Sequence, residues 1–209
     1  MKRFPWLFFI MLMWIVTGNA LDTADNTNIS SKWLDKANWV TYENPTYGFI
    51  IRYPNDLRIE KTFHGHYLAS DNWRVEFDRD AGIGKPLLSI PIVKVGINKP
   101  GLYYAVELRI GVSHDPIALK NCFVGTDTTA EINGITFHVM KFSDQAMMQY
   151  LNGVSYRVIH KDQCFAIEQL KTGSEPQDET QAKELKQLMS IENSYPSLTN
   201  IMKTFEFTD

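Results

Sequence analysis

The stretch TYENPTYGFIIRYPNDL, residues 41–57, decides how this chain is read. Asn44 before Pro45 is a turn-initiating pair, and Gly48 can take backbone angles that Phe49 cannot. From Phe49 to Tyr53 the side chains alternate, with Phe49, Ile51 and Tyr53 on one side and Ile50 and Arg52 on the other. That period of two is the mark of a strand with one apolar and one mixed face. Pro54-Asn55-Asp56 then stops it. The stretch reads as turn, strand, turn, with aromatic rings filling a core, and it specifies architecture rather than a reaction.

Working outward, strands are expected at WRVEF (73–77), LLSIPIVKV (87–95) and LYYAVELRIGVS (102–113), the last two joined by a turn at Asn98, Pro100 and Gly101. HDPIALKNCF (114–123) reads as a short helical turn that carries Cys122 inward. Asn133-Gly134 is a strong hairpin signal and joins TTAEI to ITFHVMKF through a type I′ turn. VSYRVIH and CFAIEQL form another hairpin through Lys161-Asp162-Gln163, which places Cys164 at a strand start. Residues 177–190 are helical, with Ala182, Leu185, Leu188 and Met189 on one stripe. A second helix is expected from Pro196, burying Leu198, Ile201, Met202 and Phe205, before FEF closes as a short edge strand. Each amphipathic helix needs an apolar sheet face to cover, so the fold class is α+β, one antiparallel sheet with flanking helices.

The N-terminal end reads differently. Lys2 and Arg3 precede the apolar run Phe4 to Val16, and Gly18 and Ala20 are spaced as at a signal-peptidase site, so residues 1–20 read as a cleaved signal. The run is shorter than the roughly 20 residues needed to span a hydrocarbon core. The expected product is exported to a periplasm or the outside of a cell and does not insert in a membrane. Residues 21–37 read as a polar leader running into a short amphipathic turn or helix with Trp33, Leu34, Ala37 and Val40, and residues 38–209 as one domain. Asn28-Ile29-Ser30 fits a glycosylation sequon that matters only in a eukaryotic secretory pathway.

Removing Lys2 and Arg3 from 21 basic side chains leaves 19 against 24 acidic, a formal charge of −5. With no cluster of Lys and Arg, this argues against nucleic acid and anionic membranes as partners and leaves protein as the expected one. Cys122 and Cys164 are the two cysteines, and in an exported chain they are expected to pair. The bridge would close a loop of about 40 residues, worth roughly 4 kcal/mol in loop-closure entropy. A competing reading makes Cys164 a nucleophile beside His160, but no thiol-enzyme signature surrounds it.

Other chemistry is sparser. His64 and His66 in HGH would project to one face of an extended segment and could share a Zn²⁺ or Cu²⁺, given a third ligand from His114, His138, His160 or a carboxylate. Glu76, Asp78 and Asp80 alternate in EFDRD, either as a cation or acid/base site or as a charged edge that discourages strand pairing. GIGKP (82–86) lacks phosphate-loop spacing and carries Pro86 where a hydroxyl would bind Mg²⁺. Ser113-His114-Asp115 has the residue types of a triad, yet sequence adjacency prevents convergence, so it reads as a helix cap. Met147 and Met148 beside Tyr150 fit either an adaptable binding surface or core filling.

YENPTYGFIIRYP resembles the opening strand of PsbP-like domains of exported bacterial proteins, with their Tyr-x-Asn-x-x-Tyr-Gly-Phe-x-x-x-Tyr-Pro pattern. IMKTFEF is similar to the closing helix and strand of that group, and INGITF, Tyr156 and CFAIE to the middle of small secreted members. The resemblance implies an α-β-α sandwich on an antiparallel sheet; the plant member is an extrinsic photosystem II subunit that assists calcium and chloride retention. No functional residue carries over, since the matching positions are strand and turn residues. The expected function is that of a non-enzymatic accessory protein, without a cofactor, that binds another macromolecule. The alternatives are a metal-dependent or hydrolytic secreted enzyme using His64, His66 and nearby carboxylates, and an effector acting on a host.

Overall fold

Around the NPTYG turn, β1 (Trp39–Asn44) and β2 (Phe49–Pro54) pair antiparallel from Trp39 opposite Pro54 to Asn44 opposite Phe49. The computed structural model describes residues 38–65, 68–70, 72–73, 83–96 and 102–208. The remaining elements are β3 (Lys85–Val95), β4 (Tyr104–Ser113), α1 (Pro116–Asn121), β5 (Thr128–Ile132), β6 (Ile135–Ala146), β7 (Gln149–His160), β8 (Gln163–Ser174), α2 (Glu179–Asn193), α3 (Leu198–Met202) and β9 (Glu206–Phe207). The signal and leader expected over residues 1–37 and the strand expected at 73–77 lie outside the described residues, apart from Trp73.

The α+β class holds, but the strands form two sheets where one was expected: β1-β2-β9, and β3-β4-β8-β7-β6-β5. A non-local pairing, Phe49 with Phe207 and Ile50 with Glu206, attaches the closing strand to β2 and completes the small sheet. The small sheet then packs on the large one through aromatic rings. Phe49 stacks on Phe205 at 5.4 Å and meets Phe165 edge-on at 6.5 Å, geometries that suit the ring quadrupole.

All ten residues of β4 are buried. Its even positions, Tyr104, Val106, Leu108, Ile110 and Val112, join the main core with Phe49, Ile51, Leu188, Ile201, Met202 and Phe205. Its odd positions from 105 to 113 face a second layer made by α1 and the chain between β2 and β3, where Phe63, Trp73, Ala118 and the two cysteines cluster. A strand covered on both faces sits at the centre of its domain; α2, α3 and the small sheet cover one side, α1 and the β2–β3 chain the other.

Local signals behave as their chemistry requires. Asn133 and Gly134 take φ of 51° and 76° in the tight β5–β6 turn. Asp115 caps α1 by accepting from the Ile117 amide at 2.7 Å, and Ser113 Oγ accepts from the Asp115 amide at 3.2 Å. Three expectations need correction. Val40 belongs to β1 and is exposed, so it is not part of a helical stripe. Met189 is exposed on α2, where Leu188 is the buried residue. The last helix is only Leu198–Met202, capped by Ser197; Thr204 and Phe205 close back on Ile201 and Met202, so Phe205 is buried from a turn.

Candidate functional site

On the second-layer face of the large sheet lies a row of charges that alternates in sign. It starts with the odd positions of β4. Glu107 and Arg109 are one pleat apart on the same face, and both are buried. Arg109 Nη2 donates to Glu107 Oε1 at 2.7 Å, and Ser89 Oγ of β3 donates to Glu107 Oε2 at 2.6 Å. Lys94 approaches the same carboxylate at 3.9 Å and binds Glu60 at 2.7 Å. Burial raises the pKa of Glu107, but the charge and hydrogen bond of Arg109, the hydroxyl of Ser89 and the charge of Lys94 outweigh it and hold the carboxyl below its ordinary value.

Arg109 also ties down the chain that crosses over it. Its Nη1 donates to Ser70 O at 2.8 Å, its Nη2 to His64 O at 2.9 Å, and the guanidinium lies 4.8 Å from the Phe63 ring centre. Only Nε has no partner among the described residues. Two strands further on, Arg157 of β7 is buried, with Nε on Ser155 Oγ at 3.2 Å and Nη1 3.4 Å from the carbonyls of Cys122 and Val124. Between the two arginines stands Glu168 of β8. Desolvation pushes its pKa up, and Arg157, Arg109 and hydrogen bonds from Trp73 and Ser155 only partly offset that.

Trp73 closes this row. Its indole N–H donates to Glu168 Oε1 at 3.3 Å, and the residue is 2% exposed. The ring fits because Gly111 has no side chain: a Cβ there would lie 2.5 Å from Trp73 Cβ and Cγ. Nearby, Cys122 and Cys164 form the disulfide that joins the end of α1 to the start of β8, with Cα atoms 5.8 Å apart. Cys164 is therefore a structural partner and carries no thiol.

His64 is brought to Glu60, Nε2 to Oε2 at 3.4 Å, while His66, Glu76, Asp78 and Asp80 lie outside the described residues. The other histidines sit against separate aromatic rings: His114 near Tyr47, His138 stacked on Phe123 and His160 stacked on Phe207. Among the described residues no three His, Cys, Asp or Glu side chains gather as a metal site. Sequence reasoning missed the Glu107-Arg109-Glu168-Arg157 row. Its signal was the pair of polar residues at alternate positions of an otherwise apolar strand, which normally marks a solvated face.

The NPTYG turn stands at the open surface. Asn44 Oδ1 accepts from the Tyr47 amide at 3.2 Å, Gly48 takes φ 61°, and Lys85 Nζ sits 5.0 Å from the Tyr47 ring centre. Clefts of about 460 Å³ and about 370 Å³ flank it. Lys61 and Lys85 line the first, His160, Lys161 and Gln163 the second, and Glu43, Thr46 and Tyr47 both. No helix among the described residues is long and apolar enough to cross a membrane. Comparison with protein families, with curated proteins and with solved structures gives no match.

Proposed function

We propose that this is an exported accessory protein of the PsbP-like kind, an α-β-α sandwich that binds another protein and performs no catalysis. One contrast carries the reading. The carboxyl groups with perturbed protonation, Glu107 and Glu168, lie in the charged row that Trp73 closes, where Arg109 binds Glu107 and Trp73 binds Glu168, whereas the accessible clefts beside NPTYG are lined by lysines, Glu43, His160, tyrosine and amides. A perturbed pKa in an open cleft would point to chemistry; a perturbed pKa in a closed ion-pair row points to architecture. The disulfide fits an oxidising, exported setting, and the same turn that carries the resemblance forms the walls of both clefts.

The test is native size determination of the untagged protein in the exported fraction of its own cells, for the wild type and for Lys85→Glu/Tyr47→Ala. Binding at this face predicts migration in a complex with a second protein, lost in the variant. Wild-type protein that migrates without any other protein would contradict the reading.

A further inference from the structure

The β6–β7 turn places Met147 and Met148 at φ 48° and 62°. Both central residues of a two-residue type I′ hairpin need this left-handed conformation, for which Asn-Gly is favoured and which costs other residues about 1–2 kcal/mol each. The chain uses the same geometry at Asn133-Gly134 one hairpin earlier and at the polar pair Lys161-Asp162 one hairpin later. Methionine at 147 and 148 is thus not there for the backbone. Nor does it fill the core, since Met147 is 79% exposed and Met148 49%. Two polarizable, repackable side chains are held out on a strained tip.

The surroundings narrow what covers them. Glu175 donates its amide to Met148 O at 2.8 Å, and its carboxylate accepts from Gln145 Nε2. The stretches that meet here, residues 144–150 and 172–175, carry Asp144 and Glu175 and no Lys or Arg. The tip is an apolar knob in an acidic collar, and its complement is an apolar recess with lysines. Such a recess lies beside the same hairpin, between it, β8 and the α2–α3 connection: a cavity of about 430 Å³ lined by Val106, Val154, Leu170 and Leu198, with Lys141, Lys171 and Glu192 at its walls. Lys171 is held by Glu192, but Lys141 is exposed and makes no ion pair among the described residues. Beside both, β5 pairs only with residues 135–139 of β6, so 140–146, paired with β7 on one side, presents its other side as an edge that no described strand covers.

From this juxtaposition we infer that the chain associates with a second copy of itself: the Met147–Met148 tip of each protomer enters the Lys141-bearing recess of the other, with the two 140–146 edges alongside. The hairpin that carries the knob also supplies Lys141, Phe142 and Val154 to the recess, so a single two-fold axis satisfies both contacts at once and the interface closes. A bare sheet edge favours the same pairing. The acidic collar disfavours an anionic membrane as the occupant. This goes beyond the accessory reading and does not depend on it.

Sedimentation velocity of the purified, disulfide-intact chain tests it across a wide concentration range. The wild type is expected to dimerise, and Met147→Asn/Met148→Gly to weaken dimerisation about tenfold or more, as loss of a central apolar anchor does. That variant installs the favoured turn, so its melting temperature should rise, which separates lost contact from lost fold. Lys141→Glu and Glu175→Lys are each expected to weaken the dimer, and together to restore it. A wild type that stays monomeric throughout, a Met147→Asn/Met148→Gly variant that dimerises as the wild type does, a charge swap without recovery, or binding to phosphatidylglycerol vesicles by a monomeric chain would each overturn the inference. A monomer here would leave the accessory reading standing, because that is judged by a different partner at a different face.

Discussion

Replacing Arg109 by methionine removes a guanidinium that makes three hydrogen bonds at once, to Glu107 Oε1, Ser70 O and His64 O. The methionine keeps much of the volume against Phe63 but leaves Glu107 buried, with Ser89 as its hydrogen-bond donor and Lys94 at 3.9 Å. Breaking one side of a buried ion pair costs about 3–5 kcal/mol, because the remaining charge is uncompensated. Domains of this size have about 5–15 kcal/mol in total. At about 2–4 °C per kcal/mol, the melting temperature should fall by about 6–20 °C at pH 7. The pH profile identifies the cause. Glu107 is held below its ordinary value of 4.5, so its contribution is full above that pH and is lost as pH falls through the lower folded value. The gap between wild type and Arg109→Met should therefore narrow in acid. Glu107→Gln/Arg109→Met, which removes both charges, should lose less than Arg109→Met alone. Calorimetry of the three variants across pH is the assay. A fall of less than about 2 °C for Arg109→Met, or a gap that does not change with pH, would refute the argument that a closed ion pair holds this layer.

Further outcomes follow from the same layer. Gly111→Ala puts a methyl group 2.5 Å from Trp73 Cβ and Cγ and should cost about 1–3 kcal/mol in denaturant unfolding, with a loss of tryptophan ellipticity in the near ultraviolet. Glu168 has a raised pKa, so stability declines as pH rises from the ordinary value of 4.5 through the folded one; Glu168→Gln, whose Oε1 still accepts from Trp73, should melt higher than wild type at pH 7 and lose that advantage below 4.5. Cys122→Ser/Cys164→Ser should lose roughly 4 kcal/mol, and the unreduced wild type should resist alkylation of both cysteines and weigh two protons less than the dithiol.

What the sequence made legible were features whose chemistry is local. Asn133-Gly134 can hardly be anything but a type I′ turn, Asp115 before Pro116 caps a helix, and the alternation from Phe49 to Tyr53 fixes which side of β2 is buried. The disulfide was legible because a chain with two cysteines leaves one pairing. Non-local features were hidden. Nothing near FEF says that Phe207 will lie opposite Phe49 rather than extend the main sheet. Met147-Met148 carries none of the glycine or asparagine that announces a turn, so the β6–β7 hairpin could be seen only from its strands. Glu107 and Arg109 look like the wet face of a strand until a loop is laid across them, and that loop is held by the very side chain it covers. Of the candidate metal pair, His64 meets Glu60 and His66 lies outside the described residues.

The central claim is that β4 is the middle of the molecule, covered by apolar packing on one side and by a closed row of charged, hydrogen-bonded side chains on the other. Native-state hydrogen exchange at residue resolution tests it most directly, because amide opening reports both coverings at once. The account predicts that Tyr104–Ser113 and the facing residues of β8 exchange slowest, through global unfolding, with the short edge strand Thr128–Ile132 far faster. Amides of β4 that exchange as readily as those of β5 would contradict it.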